Sequence, residues 1–130
     1  MALKQVTGLT TGAAATILVP PPNTKLIVIQ NLGANAVNIT VDGGSTYTDL
    51  NTGVGTATGN DPTTGATGLG IVIPPLASGI PGSFVISTIA SDSGLHKPIR
   101  AIMQTSTTTL NISIDCDLTA AQAAVAFPTN

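Results

Sequence analysis

The spacing of hydrophobic residues along the chain predicts a series of short β-strands. Residues 37–42 alternate strictly, so that Val37, Ile39 and Val41 are predicted to face a core while the polar residues between them face solvent. The same period of two predicts that four residues of a later strand face the core: Leu110, Ile112, Ile114 and Cys116.

An unbroken apolar run over residues 25–30 predicts a central strand buried on both faces. Asn31 to Asn35 follow it and supply the Gly and Asn residues of a tight turn. Because the alternating segment 37–42 comes directly afterwards, the sequence predicts a β-hairpin from Leu26 to Gly44.

Further apolar segments of strand length occur at 16–19, 71–73, 84–89, 98–103 and 110–117, separated by Gly, Pro, Ser and Asp. Six or seven short strands with turns at this spacing predict an all-β fold, namely a single antiparallel β-sandwich or jelly-roll-like domain. With 130 residues the chain is one domain. We expect an N-terminal arm over 1–11, the sandwich over 12–118 and a C-terminal tail over 119–130.

Two segments depart from the strand pattern. Residues 45–70 are almost all Gly, Thr, Asn and Asp, which indicates a binding loop or a disordered segment, with a short strand near 46–50 as the alternative. Residues 119–122 fit a helical capping box, with Leu118 placed to pack on Ala123, and a helix could run to about Ala126. An extended arm is the alternative for this tail.

The composition restricts the classes of function. Only 8% of residues are charged and 2% are aromatic, against 42% hydrophobic, and the formal net charge is −2. Four basic residues give no footprint for nucleic acid or for an anionic membrane. A surface with so few charges tends to associate, so we expect it to be covered by copies of the chain or by a larger assembly. We find no convincing signal peptide and expect synthesis in the cytoplasm.

Residues that could carry chemistry are isolated from one another. His96 stands in a turn with no nucleophile at a recognisable spacing. Cys116 alternates with Asp115 and Asp117, which favours a buried structural thiol, and the two aspartates are predicted to form a solvated face rather than a calcium site. The glycine-rich segments lack the lysine of a phosphate-binding loop. We therefore predict no catalytic, cofactor-binding or metal residues, no cofactor and no enzymatic activity.

The order of three segments, "ILVPPPNTKLIVIQNLGANAVNITVDGG", "GIVIPP" and "IRAIMQTSTTTLNISI", resembles the small β-sandwich virion proteins of tailed bacteriophages. The resemblance covers about two thirds of the chain and departs from the family between Ser45 and Gly70, where the family usually has a short connection. It implies a virion location, on the head surface for a decoration or cement protein. It also implies a homotrimer that binds the major capsid protein and stabilises the head.

A carbohydrate- or receptor-binding sandwich of a phage tail or fibre is the alternative. Sandwich lectins stack sugars on aromatic side chains, and this chain has only Tyr47, Phe84 and Phe127 for that role.

The termini add a further expectation. Five apolar residues there would be left in water by free arms, so we expect at least one arm to pack on a neighbouring subunit or on the capsid: Leu3, Val6, Leu9, Val125 and Phe127.

Overall fold

The described part of the chain forms ten short strands. The structure is a computed structural model that describes residues 1–21, 24–48, 56–87 and 97–128. The strands are β1 (Ala2–Val6), β2 (Ala15–Leu18), β3 (Leu26–Asn31), β4 (Val37–Thr40), β5 (Tyr47–Thr48), β6 (Thr56–Ala57), β7 (Ile71–Ile73), β8 (Gly82–Ser87), β9 (Ile99–Met103) and β10 (Leu110–Ile114). One helix follows them, α1 (Ala120–Ala126).

Eight of these strands form two four-stranded antiparallel sheets. Sheet A has the order β1-β10-β3-β8 and sheet B the order β2-β9-β4-β7, while β5 and β6 pair separately. The predicted all-β sandwich is therefore confirmed. Inward residues of both sheets share one core, whose largest fully buried side chains are Val6, Ile17, Leu18, Ile27, Ile29, Ile39, Ile73, Ile99, Met103, Leu110, Ile112 and Ile114.

The predicted hairpin between β3 and β4 is wrong. β3 pairs with β10 and β8 in sheet A, whereas β4 pairs with β9 and β7 in sheet B, so residues 32–36 cross from one sheet to the other. Period-two alternation fits both arrangements, because the apolar residues of β3 and β4 face the same core from opposite sheets. The predicted burial of β3 on both faces is also wrong, since its residues alternate between buried and half-buried.

Buried Asn31 holds this crossing in place. Its Oδ1 accepts hydrogen bonds from Thr108 Oγ1 at 2.7 Å and from the Gly33 amide at 3.0 Å, and its Nδ2 donates to the Asn35 carbonyl at 2.8 Å. At Gly33 a Cβ atom would lie 1.8 Å from Thr108 Oγ1, so the close approach requires glycine there. The Asn and Gly residues that suggested a hairpin turn therefore serve a turn between the two sheets.

The predicted inward faces are confirmed for Val37, Ile39, Ile112 and Ile114, which are fully buried. Val41, also predicted to be buried, is 36% exposed because β4 ends at Thr40. Cys116 lies beyond the end of β10 and is half-buried against the edge of the core.

The outer face of β4 departs from the prediction because another segment covers it. Asn38 and Thr40, expected to face solvent, are both buried. Asn38 Nδ2 donates hydrogen bonds to the carbonyls of Thr63 and Gly65 at 2.7 and 3.0 Å. The second half of the predicted loop, residues 58–70, therefore lies across sheet B.

Both termini belong to the sandwich. Residues predicted as an N-terminal arm form β1, the outermost strand of sheet A, and place Val6 and Leu9 in the core. The capping box at Thr119 is confirmed, with Thr119 Oγ1 accepting from the Gln122 amide and Gln122 Oε1 accepting from the Thr119 amide. Helix α1 then carries Ala126 and Phe127 into the core, while Leu118 and Ala123 pack half-buried against it.

Candidate functional site

The residues considered for chemistry do not come together in the structure. His96 lies outside the described residues. Cys116 Sγ lies 3.5 Å from Thr24 Oγ1. Asp115 Oδ1 accepts hydrogen bonds from two backbone amides at the start of β3, at 3.1 and 3.2 Å. Asp117 instead pairs with the N-terminal amino group, whose hydrogen bond lowers the pKa of this carboxyl. Within the described ranges no three His, Cys, Asp or Glu residues are grouped so as to hold a metal ion.

The charged side chains of sheet B hold the 58–70 segment in place. Arg100 Nε donates to Asp61 Oδ1 at 2.8 Å, and its Nη1 donates to Thr16 Oγ1 at 2.9 Å. The hydrogen bond from Arg100 lowers the pKa of Asp61. Burial raises the pKa of Asp42, but hydrogen bonds from Asn60 outweigh it and the net shift is downward. These contacts join residues far apart in the sequence, so they have an architectural role that no local pattern predicts.

The two sides of the sandwich are closed differently. On the side of β1 and β2, helix α1 lies over the gap between the sheets: the Val19 amide donates to the Ala126 carbonyl at 2.7 Å, and Phe127 is buried. On the opposite side, β7 and β8 are the outermost strands of their sheets and lie next to each other. In the described part of the chain no helix covers them.

The first apolar surface, which we call the β1–α1 surface, consists of the exposed residues of β1 and α1. Leu3 and Val125 are each 68% exposed, and helix α1 carries no charged residue. Two shallow grooves run along the helix. One, of about 510 Å³, lies against β1, and the other, of about 370 Å³, lies against residues 19–21. The lining of both is mostly alanine, leucine, valine and proline, and Lys4 is the one charged residue in the groove against β1.

The second apolar surface, which we call the β7–β8 surface, surrounds the two adjacent edge strands. Six large hydrophobic residues are 39–70% exposed there: Leu69, Ile71, Val72, Leu76, Ile80 and Val85. The stretch from position 62 to position 91 contains no charged side chain. Soluble edge strands are usually protected by charges, so an uncharged edge with exposed apolar residues indicates an interaction surface.

Sequence reasoning identified part of these surfaces. The five apolar terminal residues were expected to be covered by a neighbouring subunit or by the capsid. This is wrong for Val6, Leu9 and Phe127, which are buried in the chain's own core, whereas Leu3 and Val125 remain exposed. The exposure of β7 was missed, because the run Ile71–Ile73 reads like an inner strand. The absence of charge over residues 62–91 is the signal that could have identified it.

Comparison of the chain with models of known protein families, with curated proteins and with solved structures gives no match. Among the described residues, no helix has the length and apolar character needed to span a bilayer.

Proposed function

We propose that this chain is a non-enzymatic structural protein of a bacteriophage virion, which decorates the head by binding the lattice of the major capsid protein. The observation that carries the proposal is the β1–α1 surface, a mainly apolar surface on a sandwich whose core is already complete. Lys4 is the one charged residue of its two elements. The sequence resemblance to β-sandwich virion proteins supports the virion as the place where this surface is covered.

The β1–α1 surface offers two modes of contact to a capsid lattice. The outer edge of β1 has no partner strand among the described residues, so an extended capsid segment can add to sheet A there. The grooves beside α1 can accept apolar side chains, with Leu3 and Val125 entering the capsid surface in turn. A specific interface buries roughly 1,200–2,000 Å² in total, which requires both contacts to form together.

Such binding would stabilise the head by mass action. A protein that binds the assembled lattice and not the free capsid subunits shifts assembly toward the lattice, by about 2.7 kcal/mol per site when its free concentration is 100 times the dissociation constant. No chemical step is needed, and Asp42, Asp61 and Arg100 are already engaged in architectural hydrogen bonds.

The aromatic residues support decoration over the alternative of carbohydrate binding. All three aromatic residues of the chain lie in the described ranges, and none is exposed: Tyr47 and Phe84 are half-buried and Phe127 is buried. Each ring therefore offers a sugar only part of its surface for stacking.

The test is a binding assay with heads of the phage that encodes the chain, purified after deletion of its gene. Leu3→Glu combined with Val125→Glu should reduce the number of copies bound per head at least tenfold, because each change places an unpaired charge in an apolar contact. Thr67→Glu, which adds one charge at an exposed turn of the 58–70 segment, is the control and should bind normally. Full binding by the folded double variant would refute the proposed surface.

A further inference from the structure

The outer edge of β7 exposes one complete set of backbone hydrogen-bonding groups. The Met103 amide donates to Thr10 on the β2 side of sheet B, and the next amide, Gln104, donates to Ala36 on the β4 side. Because successive residues of an antiparallel ladder alternate in direction, Val37 and Ile39 turn their backbone groups toward β7. They pair with Ile73 and Ile71, which leaves the amide and carbonyl of Val72 facing away from β4.

This edge is short and uncharged. β7 has three residues and is followed by Pro74 and Pro75, which cannot donate to a ladder. Pairing at this edge is therefore limited to the surroundings of Val72, whose side chain is 47% exposed. The short length and the prolines prevent extended growth from the edge, but they permit one closed contact.

We propose that β7 is a dimerisation strand, which pairs antiparallel with β7 of a second copy of this chain about a twofold axis at Val72. Each Val72 amide would donate to the Val72 carbonyl of the other copy, joining the two B sheets into one eight-stranded sheet. The exposed apolar side chains of Leu69, just before the strand, and of Ile80, in the turn between β7 and β8, would supply further area in the contact.

A second copy fits this edge for reasons of charge and symmetry. A twofold contact brings the same surface together from both partners, so any charge on it would meet itself. Residues 62–91 carry none, and the surface is therefore compatible with itself. This proposal goes beyond head decoration, because it concerns a different surface. β7 and β2 lie at opposite edges of sheet B, and α1, which belongs to the surface proposed to bind the head, packs on the β2 side.

Sedimentation equilibrium of the purified chain is the first test, and it should show reversible formation of a species of twice the 12.9 kDa chain mass. Val72→Pro removes the outward amide without removing a hydrogen bond to β4, and should weaken the dimer at least tenfold. Val72→Thr keeps the amide and the shape, and is the matched control that should dimerise normally. This twofold pairing departs from the homotrimer that the sequence resemblance implies. A wild-type monomer at high concentration, or that trimer, would overturn the proposal.

Crosslinking keeps the proposal testable if Val72→Pro does not fold. In a Cys116→Ser background, Val72→Cys should form a disulfide-linked dimer on mild oxidation, because directly opposed residues of a hydrogen-bonded pair have Cα atoms about 5.5 Å apart. Position 125 is more exposed than position 72 (68% against 47%) but distant from β7, so Val125→Cys in the same background should remain mostly uncrosslinked. Equal crosslinking at both positions would show random collision and overturn the pairing. Neither outcome depends on binding to heads, so this proposal and the decoration proposal can fail separately.

Discussion

At the scale of single residues, burial follows strand position rather than hydrophobicity alone. Ile39 and Val41 are two residues apart in one alternating segment, yet Ile39 is fully buried and Val41 is 36% exposed. The difference arises because β4 ends between them, at Thr40, where the chain turns away through Asp42 and Gly43.

Substitution of these two residues tests which of their side chains faces the core. Ile39→Ala should lower the free energy of unfolding by roughly 2–5 kcal/mol, since it removes buried methylene groups and leaves a cavity. Val41→Ala, on the same segment, should cost about 0.5 kcal/mol because its side chain is partly in water. Urea denaturation of both variants gives the two values. A cost for Ile39→Ala that is no larger than the cost for Val41→Ala would contradict the position of β4 over the core.

The ion pair between Asp61 and Arg100 predicts a dependence of stability on pH. The pKa of Asp61 lies below its ordinary value of 3.8 because Arg100 donates a hydrogen bond to the carboxylate. The unfolded chain takes up the proton at a higher pH than the folded chain does. The contribution of this ion pair to the free energy of unfolding is therefore fully present above the pKa of Asp61 in the unfolded chain. It is lost as the pH falls through the lower pKa of Asp61 in the folded chain.

Urea midpoints measured from neutral pH down to strongly acidic pH test this prediction. The wild-type midpoint should decline below about pH 4. Asp61→Asn should reduce that decline, leaving the part contributed by Asp42 and Asp117, whose pKa values are also lowered. An identical decline in the wild type and in Asp61→Asn would show that the pair does not couple folding to pH.

At the scale of elements, the sequence predicts where most strands lie but not which strands pair. β2, β3, β4, β7, β8, β9 and β10 all overlap segments that the apolar pattern indicates. Pairing depends on residues far apart in the chain, as when Asn31 bonds to Thr108, and local periodicity contains no information about such contacts. For this reason the prediction of a β3–β4 hairpin is wrong, although the predictions of both strands are correct.

The candidate surfaces were predictable to a lesser extent than the strands. The low number of charged residues indicates that some surface is covered. Where that surface lies depends on which side of the sandwich helix α1 closes. The sequence predicts α1 through its capping box, whereas the docking of Phe127 between the sheets is a tertiary contact. The cover of Asn38 by residues 63–65 is likewise a contact between segments that share no local pattern.

Helix α1 provides the test at this scale. A seven-residue helix is marginal by itself and depends on its cap and on packing. Thr119→Ala removes the cap and should lower the free energy of unfolding by about 1 kcal/mol, while Thr119→Ser keeps a hydroxyl and should cost little. Hydrogen exchange of the amides of Ala123 and Phe127 should speed up in Thr119→Ala only. Unchanged exchange would show that packing of Phe127 alone holds the helix.

At the scale of the whole molecule, the sandwich has one side closed by α1 and one side left open at β7 and β8. Each side presents uncharged apolar residues, and in our account each has a different partner. We propose that the β1–α1 surface binds the capsid lattice and that the β7–β8 surface binds a second copy. Few charges are then an expected property of a chain that functions with two of its surfaces covered.

The central claim is that the chain decorates the head of a phage, and its most direct measurement is an electron cryomicroscopy reconstruction of virus particles from the source of the chain. We predict density for the sandwich at regular positions on the head, with Leu3 and Val125 facing the capsid shell. Density confined to the tail or a fibre would contradict head decoration and favour receptor binding. Absence of the chain from purified virions, measured by mass spectrometry of the same sample, would contradict a structural role in the particle.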